Sequence, residues 1–130
     1  METVWQCQDR YGPEIGGGSG WKLFRKGGLI IDIKFFDGRA ESITFEKEQK
    51  DALGSPEAIS ENEIKLLLDA NGNGEDWVED HILSIDRQWS AKGGTLVGFY
   101  MTLKHAFGVY TKESADRFYR AKAPDEAVKL

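Results

Sequence analysis

The residues with the types and spacing most suited to chemistry lie in the stretch LLLDANGNGEDW, Leu66 to Trp77. An EF-hand loop places Asp first, Asp or Asn third and fifth, Gly sixth, and an acidic side chain twelfth. Counted from Asp69, these positions hold Asn71, Asn73, Gly74 and Asp80. Because Ca²⁺ binds such an arc of oxygen atoms, one hypothesis is a calcium-binding domain with an EF-hand-like loop whose ligands are Asp69, Asn71, Asn73 and Asp80.

The same loop has a simpler interpretation as the end of a helix. Asn71 and Gly72 both tolerate the left-handed backbone conformation on which many helices end. Asp80 is one methylene shorter than the Glu that EF-hand loops carry at their last position, and the sequence holds no second loop of this kind. We therefore favour a solvated acidic turn, assign no metal or cofactor, and keep calcium as the alternative.

No other set of side chains has the spacing of a catalytic or metal site. His81 and His105 are the two histidines, without a Cys/His ligand pattern around them, and Cys7 lies on an apolar helix face. The glycines at 16–20 lack the Gly-Lys-Ser/Thr of a phosphate-binding loop and are interpreted as a flexible loop. Because no acid, base and nucleophile occur together, we predict a protein that is not an enzyme.

The charge is concentrated in one part of the chain. The 130 residues carry a net charge of -5, but 57–80 hold eight acidic residues against Lys65 alone, a local charge of -7. No cluster of Lys and Arg resembles a nucleic-acid site, and no apolar run approaches the roughly 20 residues of a membrane span. The expected partner is another protein, with neither nucleic acid nor a membrane span involved.

The first half of the chain predicts a helix followed by a three-stranded meander. Apolar residues at helical spacing end at Gly12-Pro13, a usual helix stop, and Trp21 to Phe24 suits a strand. From Leu29 to Phe35 every second residue is apolar, and Asp37-Gly38 favours a type I′ turn into a return strand that ends at Phe45.

The second half repeats this plan. Ser60 and Glu63 form a capping box for a helix, and a hairpin is predicted from Leu96 to Thr111. Ile82 to Trp89 satisfies both strand and helix periods, and we favour a strand. A short C-terminal helix is marked by Ala115, Phe118 and Tyr119, and 122–130 are predicted to be a loose tail.

These elements predict an α+β fold in a single domain of residues 1–130. Its antiparallel sheet or sheets are built from two helix-plus-three-strand meander units, with a short C-terminal helix. The parallel plan of the halves, and the triplet Lys-Gly-Gly at both Lys26 and Lys92, suggest an internal duplication that relates 1–50 to 58–112.

The first half also resembles a known family. Arg10-Tyr11-Gly12-Pro13, Trp21-Lys22-Leu23-Phe24 and the run from Leu29 to Ile43 resemble the helix-plus-meander module of small bacterial envelope proteins. These are the SmpA/OmlA lipoprotein domain and the related beta-lactamase-inhibitor-protein fold. The resemblance implies a non-catalytic protein-binding or structural module, in the periplasm or cell envelope with its signal peptide removed; the cytoplasm is the alternative.

Overall fold

A computed structural model describes residues 3–72, 74–80 and 86–117. The described helices are α1 (Val4–Tyr11), α2 (Glu61–Asn71) and the residues 112–117, here α3. The strands are β1 (Gly16–Gly18), β2 (Trp21–Lys26), β3 (Leu29–Phe36), β4 (Arg39–Lys47), β5 (Trp77–Asp80), β6 (Arg87–Ala91), β7 (Leu96–Met101) and β8 (Ala106–Thr111). Within these residues the strands form one sheet in the order β1-β2-β3-β4-β8-β7-β6-β5, and every neighbouring pair is antiparallel.

The predicted fold class was wrong. The described residues hold far more strand than helix, which makes the fold predominantly β instead of a balanced α+β built from helix-plus-meander units. The antiparallel character of the sheet is confirmed, but the strands of both halves join through β4 and β8 into one eight-stranded sheet. The prediction overestimated the helices because short capped segments of 8 and 11 residues look as prominent in sequence as longer ones.

Two strands were missed. Gly16–Gly18 was predicted to be a loop, yet it pairs with Trp21–Leu23 as the edge strand β1. Glycine has low strand propensity, so its pairing comes from the neighbouring backbone and not from its own side chain. Trp77–Asp80 was assigned to the acidic loop, yet it forms the opposite edge strand, β5.

The local signals at turns and helix starts are confirmed. Ser60 accepts a hydrogen bond from the Glu63 amide at 3.2 Å and donates its own amide to the Glu63 carboxylate at 2.9 Å, which completes the capping box. Asp37 and Gly38 have φ angles of 51° and 76°, as a type I′ turn requires. A register shift between Lys34 and Phe35 interrupts the ladder just before this turn.

The core lies on one face of the sheet. The register aligns Phe24 with Ile31, Ile31 with Phe45, and Phe45 with Phe107, and all four side chains are buried. Antiparallel partners point to the same face, so these residues form one apolar layer. The helices α1 and α2 cover it with Cys7, Tyr11, Ile64 and Leu68, which belong to the same cluster. Cys7 is therefore a buried core residue, as predicted.

Several predictions fall wholly or partly on residues outside the described ranges. Arg87 to Trp89 is strand, but 81–85, which include His81, lie outside them. Phe118, Tyr119 and the predicted tail at 122–130 also lie outside. The single domain and the internal duplication stay predictions. In the described part of the chain, no helix is both long enough and apolar enough to cross a membrane.

Candidate functional site

A groove of about 700 Å³ lies on the face of the sheet opposite the core. It is lined by residues that alternate with the core residues along β3, β4 and β8, together with residues of β7 and α3. Its floor is made largely of short side chains, Ser42, Thr44 and Ala106, and one wall consists of Phe99 and Met101. A floor of small residues beside large apolar ones gives the groove its depth.

Three polar residues form a row across the groove floor. Lys34 is the register partner of Ser42, and Ser42 is the partner of Tyr110, on three adjacent strands. Side chains directly opposite each other on antiparallel strands have Cβ atoms about 4.5–5.5 Å apart. The register thus places Lys34 beside Ser42, while the Tyr110 ring extends from this row over Gly108 of the next one.

In the next row of the sheet, the aromatic side chains that line the groove lie beside a glycine. Gly108 is the register partner of both Thr44 and Phe99. A Cβ atom added at Gly108 would lie 2.7 Å from a ring carbon of Tyr110, so the tyrosine ring lies across the space a side chain would fill. The rings of Phe99 and Tyr110 meet edge to face, with centroids 5.6 Å apart at 73°. Glycine at position 108 therefore allows this aromatic pair to line the groove.

An ion pair holds α3 against the sheet at one end of the groove. The guanidinium group of Arg117, on α3, forms an ion pair with Glu41 of β4. The same guanidinium lies over the ring of Phe36, 4.6 Å from its centroid. Phe36 remains 56% exposed, so it extends the aromatic surface beyond the groove. These contacts anchor α3 to the sheet and largely neutralise the charge of Arg117.

Other polar groups of the groove have no hydrogen-bond or ion-pair partner among the described residues. Within the described residues, the hydroxyl groups of Ser42, Thr44 and Tyr110 make no hydrogen bond to another protein group. Lys34 and Lys104 form no ion pair in that same part of the chain. In the described part of the chain, these groups are left without a partner inside the protein.

A partly buried carboxyl group, that of Asp32, lies one row along from Lys34 and Ser42. Asp32 is the register partner of Thr44 and shares its face of the sheet. Burial raises the pKa of the Asp32 carboxyl above its ordinary value, and the positive charge of Lys34 lowers it in part. Its Oδ1 atom is buried without a hydrogen-bond partner among the described residues. The folded protein therefore disfavours the ionised form of the Asp32 carboxyl.

A second groove, of about 610 Å³, separates α2 from β5 and β6. Its apolar floor includes Ile64 and Trp89, and its rim carries the carboxylates of Glu61, Asp69, Asp76 and Glu79. Arg87 contacts two of these, at 2.5 Å to Glu61 and 2.7 Å to Glu79, and lies 4.7 Å from the ring centroid of Trp89. The hydrogen bonds that the Arg87 guanidinium donates to Glu79 and Glu61 raise the pKa of Arg87, and the bond to Glu61 lowers the pKa of that carboxyl.

Two residues of the calcium hypothesis, Asn71 and Asp80, make hydrogen bonds within the protein. Asp69 and Asn71 lie inside α2, and the buried Asn71 amide donates to the Leu67 carbonyl at 2.7 Å. Asp80 lies at the end of β5 and accepts hydrogen bonds from Ser90 at 2.7 Å and Gln88 at 3.2 Å. Asn73 lies outside the described residues, and calcium binding stays an untested prediction.

The remaining candidate residues, His105 and Trp77, make hydrogen bonds within the fold. In the part of the chain that the structure describes, no group of three or more His, Cys, Asp or Glu side chains is placed to hold a metal ion. The Nδ1 atom of His105 lies 2.7 Å from the Pro56 carbonyl oxygen, in a turn where His105 has a φ of 55°. The indole of Trp77 donates to the Leu68 carbonyl at 2.8 Å, which ties β5 to α2.

No family model, curated protein or solved structure gives a significant match to the chain. The resemblance to the SmpA/OmlA and beta-lactamase-inhibitor-protein modules stays a prediction that these comparisons do not test.

The sequence predictions missed the groove of about 700 Å³ on the face opposite the core, here called the open-face groove. The alternation from Leu29 to Phe35 had placed Asp32 and Lys34 on the side away from the core, but nothing marked that side as concave. The one available signal was Gly108 within a run of strand-forming residues, since an isolated glycine in a strand often marks a close approach by another group.

Proposed function

We propose that this protein is a non-catalytic protein-binding module of the bacterial cell envelope, and that the open-face groove holds a segment of its partner. The observation that supports this most is the second face of the sheet, which α1 and α2 leave uncovered and which carries a groove of about 700 Å³. That volume lies in the range of about 300–1,000 Å³ typical of sites that bind ligands through concave surfaces.

The side chains of the open face are those that protein interfaces favour. Phe99, Met101 and Tyr110 line the groove, and aromatic residues and Met are enriched at the centres of interfaces. Trp21, 38% exposed, is the register partner of Lys34 and so lies on the same face. Together with Phe36 it widens the groove into a broad aromatic surface, which supports an extended partner segment over a small molecule.

The ionisable groups support binding over catalysis. The described groove lining holds no histidine and no cysteine, and Glu41 is paired with Arg117. Acid–base chemistry requires a donor and an acceptor within hydrogen-bond reach of the same reacting atom, often with a third group that orients them. The remaining charged residues, Lys34, Glu46 and Lys104, have no such orienting contacts among the described residues.

The envelope location rests on the family resemblance of the first half of the chain. It is tested by expressing the natural gene, with its own upstream sequence, and locating the product by cell fractionation. We expect the protein in the periplasmic or membrane fraction. Recovery in the cytoplasmic fraction alone would remove the envelope part of the proposal and leave the binding part standing.

The binding proposal is tested with defined peptides. A displayed library of random peptides is selected on the folded protein, and the affinities of the recovered peptides are measured by fluorescence anisotropy. Phe99→Ala removes a groove wall, while Leu66→Ala truncates a side chain that is 67% exposed on α2 and serves as the matched control. We expect Phe99→Ala to weaken binding by about tenfold or more, as for an aromatic interface anchor, and Leu66→Ala to have little effect.

Peptides that bind equally well to the wild type and to Phe99→Ala would contradict the proposal, as would a selection that yields no specific binder. Thermal unfolding of both variants checks that the fold is intact.

A further inference from the structure

The helix α3 runs across the open face of the sheet. The amide of Ser114 donates a hydrogen bond to the Thr111 hydroxyl at 3.1 Å, so α3 starts directly at the end of β8. Further along, Arg117 pairs with Glu41 of β4 and lies over the ring of Phe36 of β3. The helix therefore crosses the sheet from β8 over β4 toward β3, and the next strand in this direction is β2.

An exposed aromatic patch lies on β3 and β2, beyond the described end of α3. Trp21 of β2 is the register partner of Lys34, two residues before Phe36, so Trp21 and Phe36 are diagonal neighbours about 7–8 Å apart. A Cβ atom added at Gly18 would lie 2.6 Å from Nε1 of Trp21, so the indole lies against the backbone of β1. Trp21 is 38% exposed and Phe36 is 56% exposed.

The sequence that follows α3 begins with two aromatic residues. Residues 118–130 lie outside the described ranges, and the first two are Phe118 and Tyr119. They follow Ala115 by three and four residues, the spacing that places side chains on one face of a helix. Ala115 is 8% exposed and lines the groove, so this is the face that α3 turns toward the sheet.

The length of chain after Arg117 matches the distance to the patch. A helix that continues through 118–123, up to Pro124, adds about 9 Å. Two strand spacings separate β4 from β2, a distance of about 10 Å. The chain's own next turns are therefore long enough to bring aromatic side chains to Trp21.

We propose that residues 118–123 continue α3 toward β2 and pack Phe118 and Tyr119 against Phe36 and Trp21. The occupant of the aromatic patch in the free protein is thus a segment of the same chain. A partner segment that extends beyond the groove reaches Trp21 only by displacing this one. That last consequence rests on the proposed function, whereas the packing itself does not.

The packing is tested by NMR spectroscopy on the full chain. We expect NOEs from the ring protons of Phe118 or Tyr119 to the side chains of Trp21 and Phe36. If the rings are assigned and no such NOE is found, the inference is overturned. Neither this measurement nor the next uses a peptide, so their failure is distinguishable from a failure of peptide binding through Phe99.

A double variant, Phe118→Ala with Tyr119→Ala, provides the second measurement. The amide and indole N–H signals of Trp21 should shift, because the rings packed against it are lost. The control is Leu103→Ala, which truncates a side chain that is 83% exposed in the turn between β7 and β8 and should leave both signals in place. Unchanged amide signals on α2 check the fold. Signals of Trp21 that match the wild type in the double variant would overturn the inference.

Discussion

The ring of Tyr110 lies across Gly108, two residues earlier on the same strand, and occupies the space where any other residue would place its Cβ atom. This relationship shapes the groove, because it turns Tyr110 toward Phe99 and makes the two rings an edge-to-face pair. The open face of the sheet therefore owes its aromatic wall to a residue that has no side chain.

Gly108→Ala should displace the Tyr110 ring. The new methyl group would lie 2.7 Å from a ring carbon, and overpacking of this kind costs about 1–3 kcal/mol. We expect a loss of stability of that size in urea unfolding, together with weaker peptide binding. Tyr110→Phe is the control for stability, because it keeps the ring in place and removes only the hydroxyl. Wild-type stability and affinity in Gly108→Ala would show that the ring position is unimportant.

Asp32→Asn should stabilise the protein at neutral pH. The folded protein raises the pKa of Asp32 above its ordinary value of 3.8, so the folded state holds this proton more tightly than the unfolded state. The group therefore disfavours folding increasingly as pH rises through its folded pKa. We expect Asp32→Asn to raise Tm at pH 7 and to change it less at acidic pH. An equal effect at both pH values would show that charge is not the cause.

Arg87→Gln should loosen the contact between α2 and the sheet. The guanidinium joins Glu61 of α2 to Glu79 of β5, so its loss leaves two carboxylates facing each other. We expect a lower Tm, with the difference from wild type reduced in high salt because the pairs are partly exposed. Lys92→Gln is the control, because its distance to Asp76 is 3.8 Å and both side chains are largely exposed. Similar Tm changes in the two variants would contradict this role.

Calcium should leave the protein unchanged if the acidic turn is a helix end. Asn71 is buried within α2 and Asp80 is hydrogen-bonded to Ser90 and Gln88, so two of the four hypothetical ligands are engaged. We expect no heat of binding in calorimetry and no change in Tm on addition of CaCl₂. A rise in Tm that disappears in Asp80→Asn would instead establish the calcium alternative.

Local signals in the sequence predicted much of the fold's detail. The Asp37-Gly38 turn and the Ser60 capping box depend on neighbouring residues alone, so residue type was sufficient to predict them. The two edge strands were missed for a different reason. Gly16–Gly18 and Trp77–Asp80 become strands because β2 and β6 offer them backbone partners. Pairing between β4 and β8, which joins the halves into one sheet, is equally non-local.

The candidate site was harder to predict than the fold. Ser42 and Tyr110 occupy ordinary outward positions in their strands, and only the register brings them into one row with Lys34. The acidic stretch, by contrast, was prominent in sequence because its charges are contiguous. In the structure, some of those charges join α2 to the sheet, as in the pairing of Glu61 and Glu79 with Arg87.

The most direct test of a peptide-binding groove on the open face is a map of amide chemical shifts for the ¹⁵N-labelled protein during titration with a selected peptide. Binding in the groove predicts that the perturbed amides cluster on β4, β7 and β8, with Ser42, Phe99 and Tyr110 among them. Perturbations confined to α2 and β5, or no perturbation at saturating peptide, would contradict it.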